Sequence, residues 1–136
     1  MGAQLGRDFE RFEGQPIIQG EDVLHVTLDK RGMLNMNAYC WRELGKPTAV
    51  YLHFSRREDT IALEPVHSFK KPNAFPFRPN GSGRYINTAP FCRHFGINLD
   101  STQKFIHPEI RDGVLHLKLN ETVTVSRDRR RPETET

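Results

Sequence analysis

Gly32–Gly45 (GMLNMNAYCWRELG) and Gly83–Gly96 (GRYINTAPFCRHFG) decide how this chain folds, because one contains the other's punctuation. Gly32 corresponds to Gly83, Ala38 to Ala89, Arg42 to Arg93 and Gly45 to Gly96, all at a shift of 51 residues. After a three-residue insertion in the second copy the shift becomes 54: Tyr51-Leu52-His53 matches Phe105-Ile106-His107, Arg57 matches Arg111, and Ile61 and Leu63 match Leu115 and Leu117. A repeat of this length is too short for a domain and too long for a turn. Two half-units that each expose an apolar face are expected to build one core together.

The punctuation gives a coarse map. Asp22–Leu28 (DVLHVTL) alternates as a strand does, Asp29-Lys30-Arg31-Gly32 is a turn, and Met33–Met36 is a second short strand. Asn37 caps a helix over Ala38–Leu44, which Gly45 ends. Ala49–Phe54 and Thr60–Pro65 form a hairpin around the charged turn Ser55–Asp59. The first unit therefore reads β-β-α-β-β. In the second, Pro72, Pro76 and Pro79 reduce Lys71–Phe77 to an edge strand or extended linker. Asn80-Gly81-Ser82-Gly83 is the turn, Arg84–Asn87 a strand, and Thr88 the cap of a helix that runs through Pro90 to Phe95 and stops at Gly96. Lys104–His107 and Gly113–Leu119 are expected to pair across Pro108–Asp112. Residues 1–20 are an N-terminal arm without a repeat counterpart. Residues 21–120 are one domain, with units at 21–66 and 70–120, and residues 121–136 a charged tail.

Composition agrees with a single globular domain. The 136 residues are 36% apolar, in blocks separated by polar turns. No stretch approaches the roughly 20 apolar residues of a membrane span, and Met1–Glu13 has no signal-peptide core. A cytoplasmic protein with no membrane partner is the expectation. Cys40 and Cys92 lack CxxC spacing and sit one position out of step in the repeat, so they read as buried thiols without metal or disulfide.

The order of elements carries a resemblance. Leu28-Asp29-Lys30-Arg31-Gly32, a polar-apolar strand, a short helix ending in Leu44-Gly45 and two further strands look like the swapped-hairpin units of the AbrB, MazE and MraZ group of bacterial DNA-binding proteins. Two units in one chain resemble the MraZ members. Their turn runs aspartate, two variable residues, glycine, arginine, then an apolar strand and a proline opening the helix. Asp29 and Gly32 match in unit one, where Met33 and Asn37 replace the arginine and proline; Gly83 and Arg84 match in unit two, where Asn80 and Thr88 replace the aspartate and proline. The resemblance implies a mainly β fold with short helices: a pseudo-twofold swapped-hairpin β-barrel of two β-β-α-β-β units, which leaves few open edges. It also implies a transcriptional regulator that binds double-stranded DNA without a cofactor.

Charge clustering supplies candidates for DNA contact. The net charge of +3 is mild, and decides nothing alone. On the resemblance, Lys30, Arg31 and Arg84 lie at turns that meet DNA, where arginine can read guanine in the major groove. Equally, hairpin turns are exposed and carry charge in any protein. Arg127, Arg129, Arg130 and Arg131 form a basic run that could clamp phosphates; the acidic Glu133 and Glu135 that follow suit a merely solubilising end as well. Arg42 and Arg93 read as helix C-terminal cations. The aromatic cluster Phe69, Phe75, Phe77, Tyr85 and Phe91 reads as packing more than as a base-stacking platform.

Catalysis finds little support. His53 and His107 are repeat-equivalent strand residues, Cys92 and His94 are two apart on a helix and so do not face each other, and Asn80–Gly83 lacks the remainder of a phosphate-binding loop. The chain is expected not to be an enzyme. The alternatives to a DNA regulator are a protein-interaction or assembly module, antitoxin-like, with a homo-oligomer and a protein partner, and behind it a small enzyme with a deep polar pocket.

Overall fold

The computed structural model describes residues 23–68 and 71–125; the N-terminal arm, Phe69, Lys70 and the tail arginines Arg127, Arg129, Arg130 and Arg131 lie outside the described residues. Unit one gives β1 (Val26–Leu28), β2 (Met33–Met36), α1 (Ala38–Glu43), β3 (Ala49–Ser55) and β4 (Thr60–Val66). Unit two gives β5 (Phe75–Pro76), β6 (Arg78–Asn80), β7 (Gly83–Asn87), α2 (Ala89–Phe95), β8 (Gln103–Phe105), β9 (Glu109–Arg111) and β10 (Val114–Lys118), and the first residues of the stretch read as a charged tail form a further strand, β11 (Thr122–Thr124). No described helix is long and apolar enough to cross a membrane.

The helix ends follow the local chemistry. Asn37 accepts the Cys40 N–H at 3.1 Å and so caps α1. Thr88 holds the cap position of α2 but makes no side-chain cap bond; its hydroxyl donates to the Gly32 carbonyl at 2.7 Å, and Asn87 accepts the Ala89 N–H at 3.1 Å in its place. Gly96, at φ 70°, closes α2 in the left-handed conformation that glycine tolerates.

The strands form two antiparallel sheets. One has six strands in the order β11-β8-β1-β2-β7-β6, the other five in the order β5-β3-β4-β10-β9. The units interleave: the β1–β2 hairpin lies between β8 and β7, and the β3–β4 hairpin between β5 and β10, so strands of unit two flank unit one on every side. Only Phe77 separates β5 in one sheet from β6 in the other, and the chain changes sheet again between β8 and β9 and between β10 and β11. Such sheet-switching strands make the corners of two-sheet packings. Among the described residues the ladders remain two sheets and do not close into one barrel.

Two expectations need correction. The hairpin foreseen between Lys104–His107 and Gly113–Leu119 does not form: β8 pairs with β1 and β11, and β10 with β4 and β9. Pro108 offers no N–H and restricts His107 before it, so the strand breaks there and its two halves join different sheets. The second correction concerns the repeat. The 54-residue shift preserves faces, since Ile61 and Leu63 map to Leu115 and Leu117 and all four are buried partners in the β4·β10 ladder. The 51-residue shift does not: buried Leu34 maps to Tyr85 at the surface, whereas its ladder partner is Ile86. Along an antiparallel pair side chains alternate with period two, so an odd shift exchanges inside for outside. What the 51-residue shift does preserve is the approach of each turn glycine to the other unit's helix start. Gly32 lies against Ala89, and Gly83 against Met36 and Asn37.

The core lies between the sheets. Val26, Leu28, Leu34, Ile86 and Phe105 from the six-stranded sheet meet Val50, Ile61, Leu63, Leu115 and Leu117 from the other, with Cys40 and Leu44 of unit one and Phe91 and Cys92 of α2 in the same cluster. Both cysteines are buried free thiols. Burial, with a smaller contribution from the Glu43 charge, pushes Cys40 up to about 12; burial also raises Cys92, against its hydrogen bond with Thr88.

Candidate nucleic-acid interface

With Leu28, Leu34 and Ile86 committed to the core, alternation turns their neighbours outward. The ladder registers place Val123, Lys104, Thr27, Asn35, Tyr85 and Arg78 side by side as one row across all six strands. At the usual strand spacing of about 4.8 Å, Lys104 and Arg78 stand roughly 19 Å apart. No carboxylate interrupts this row. Arg31, Met33, Asn35, Asn80 and Tyr85 line a shallow hollow of about 330 Å³ on it, bridged by an Asn80-to-Asn35 side-chain hydrogen bond of 2.7 Å.

The β1–β2 turn is held by one carboxylate. Asp29 accepts the backbone N–H groups of Arg31 and Met33, both at 2.9 Å, and the Arg31 guanidinium at 3.0 Å. Burial opposes its charge, but these hydrogen bonds and the Arg31 charge outweigh burial and lower its pKa. The Arg31 side chain stays 73% exposed against 15% for Asp29, so the pair orients a cation that still faces solvent. Lys30 and Arg31 of this turn also line a smaller hollow with Arg93 and Cys92.

Arg84 does not join Arg31. Its ladder partner is the buried Met36, so it points away from the Asn35–Tyr85 face. Its guanidinium stacks 3.8 Å from the centre of the Trp41 ring and donates to the Gly83 carbonyl at 2.8 Å. That is a cation on an aromatic face with one guanidinium nitrogen bonded to backbone. Lys104, by contrast, shares the face with Arg78 and with Tyr85, a member of the aromatic cluster whose base-stacking reading stood behind packing; the register of β8 is the signal that finds Lys104.

The aromatic residues divide. Phe54, Phe91 and Phe95 pack together at 5.0–6.3 Å between ring centres, Phe91 edge to face with each of the other two, with Arg56 lying 5.4 Å over Phe95. Phe75 and Phe77 pack against the core, and Tyr85 alone of the cluster's described members lines the hollow on the sheet's outer face. His53 and His107 each meet a glutamate, Glu64 at 2.9 Å and Glu121 at 3.1 Å, on exposed surface. No group of three or more His, Cys, Asp or Glu among the described residues could hold a metal ion.

His25, at the margin of the outer face, has its pKa lowered from 6.5 by burial first and then by the Lys104 charge. The folded chain thus holds this proton more weakly than the unfolded chain. Its contribution to stability is present above pH 6.5 and is lost as the pH falls through the lower folded value. Melting temperatures measured from about pH 7 down to pH 5 should decline, and His25→Gln should flatten that decline while leaving the loss below pH 3.8, where Asp29 titrates, in place.

No protein-family model matches the chain, and no curated protein or solved structure matches it either.

Proposed function

We propose that the protein binds double-stranded DNA through the outer face of the six-stranded sheet, as a transcriptional regulator of the AbrB and MraZ kind whose two units make a pseudo-twofold, swapped-hairpin barrel. The cross-strand row from Lys104 to Arg78 carries this reading: two cations flank the polar neighbours Asn35 and Tyr85, with Arg31 at the rim. Flanking cations position a protein on phosphates, and a polar centre can reach base edges. The interleaving of the two hairpins with strands of unit two supports the swapped arrangement.

Binding of duplex DNA should fall steeply with salt, because neutralised phosphates release counterions. Removing residues 126–136 takes away Arg127, Arg129, Arg130 and Arg131. The slope of log K against log salt should shrink by up to about 3.6, at roughly 0.9 for each phosphate that is no longer neutralised. Fluorescence anisotropy on a labelled duplex measures both; affinity indifferent to salt would reject DNA as the ligand.

One observation favours a second reading, a protein-binding module. A hollow of about 430 Å³ is lined by Phe54, Phe95, Ile97, Leu99 and Leu119 together with Arg56, Asp59 and Asn98, apolar side chains beside one cation and one carboxylate. Co-purification of a protein partner by a chain that ignores DNA would put this reading first.

A further inference from the structure

We infer that the duplex bound by this face is not palindromic, because one chain presents two unlike half-surfaces and Arg31 reads only one of them. This rests on the DNA-binding reading above. A symmetric dimer repeats every contact about its twofold axis, and its operator mirrors that symmetry. Here the repeat-equivalent strands β2 and β7 meet off the centre of the six-stranded sheet: β1, β8 and β11 lie beyond β2, and only β6 beyond β7.

The two turns differ in chemistry as well. Asp29-Lys30-Arg31 corresponds in the repeat to Asn80-Gly81-Ser82, which carries no charge. Arg84, the cation that sequence offers in compensation, is directed onto Trp41. On the β2 side of the centre the outer face therefore holds Arg31, Thr27 and Lys104, and on the β7 side Tyr85, Asn80 and Arg78.

Arg31 is also prepared to discriminate. Its Nε and Nη2 bond Asp29 at 3.3 and 3.0 Å, so its Nη1 and the second Nη2 hydrogen are left as an end-on fork. Such a fork matches the N7 and O6 acceptors of guanine. Asp29 itself is fixed by two backbone N–H groups, so the fork is held in direction before any ligand arrives. The uncharged second turn has no equivalent, and the Tyr85 side of the site is left to interactions of another kind.

The test is selection of tight binders by the full chain from duplexes with a random centre of roughly 16 base pairs, about one and a half helical turns, short enough to favour one copy per duplex. The expected motif has unlike halves, with a guanine preference in one of them. Arg31→Ala should erase that preference and weaken binding to the selected duplex by about 10-fold or more, leaving the other half of the motif intact. Lys104→Ala should weaken all duplexes alike. A motif equal to its own reverse complement would overturn the inference, and so would salt-dependent binding with no sequence enriched, though the DNA-binding reading would survive both. Absence of any duplex binding would remove that reading too.

Discussion

Gly32→Ala should lower the melting temperature by roughly 10 °C. Gly32 sits at φ +92°, and a Cβ built there would lie 2.7 Å from the Cα of Ala89 and 2.8 Å from its nitrogen. Those are backbone atoms in the first turn of α2 and cannot rotate aside. Left-handed backbone costs an alanine about 1–2 kcal/mol, and overpacking adds about 1–3 kcal/mol. The Gly32 carbonyl also accepts both the N–H and the hydroxyl of Thr88 at 2.7 Å, so moving the turn to relieve the clash would strand two buried partners. Gly113→Ala is the control: its φ is +79° but nothing lies within 4 Å of the new methyl, which leaves the backbone cost alone. Its melting temperature should fall by about 4 °C. Equal losses in the two variants, read by calorimetry, would show that the turn of unit one is not pressed against the helix of unit two.

The close approach of Gly32 to α2 explains why the glycines were legible and the strands between them were not. Gly32, Gly83, Asn37 and Thr88 are fixed by backbone geometry, which leaves few residue choices, and so the repeat survives at those positions. Met33–Met36 and Arg84–Asn87 must only fit a half-buried surface. Their faces depend on register, and a one-residue slip exchanges Leu34 for Asn35 as the inward residue. The β3–β4 hairpin was readable because Ala49–Ser55 and Thr60–Val66 are uninterrupted and adjacent. The partners of β8 and β10 were not, because both changes of sheet, at Pro108 and at Leu119–Glu121, depend on packing against distant strands.

The candidate site divides along the same line. Lys30 and Arg31 stand out in sequence as a charged turn, and Asp29 two residues before Arg31 supplies the orienting carboxylate locally. Lys104 and Arg78 are isolated cations in unremarkable strands, 26 residues apart in the chain, and only pairing through β1, β2 and β7 aligns them. Arg84 is placed by a related feature: a turn-adjacent arginine reads as exposed in sequence, and Trp41, distant in sequence, lies beneath it.

The arginines therefore separate cleanly by experiment. Replacing Arg31, Arg78 and Lys104 together by alanine should weaken duplex binding by about 10²–10⁴-fold, taking about 1–3 kcal/mol for a base-reading arginine and about 1 kcal/mol for each flanking charge-assisted hydrogen bond. None of the three fills the core, and Arg78 and Lys104 are exposed, so the melting temperature should change little apart from the loss of the Arg31–Asp29 pair. Arg84→Ala should do the opposite. It removes the stack on Trp41 and the bond to the Gly83 carbonyl, costing about 1–2 kcal/mol of stability, while DNA affinity measured well below the melting temperature stays within about twofold. Cations that merely add net charge would act alike, since Arg84 and Arg78 each contribute one. If Arg84→Ala weakened binding as much as Arg78→Ala at matched salt, the outer face would not be the surface that meets DNA, and the general positive charge of the chain would account for binding instead.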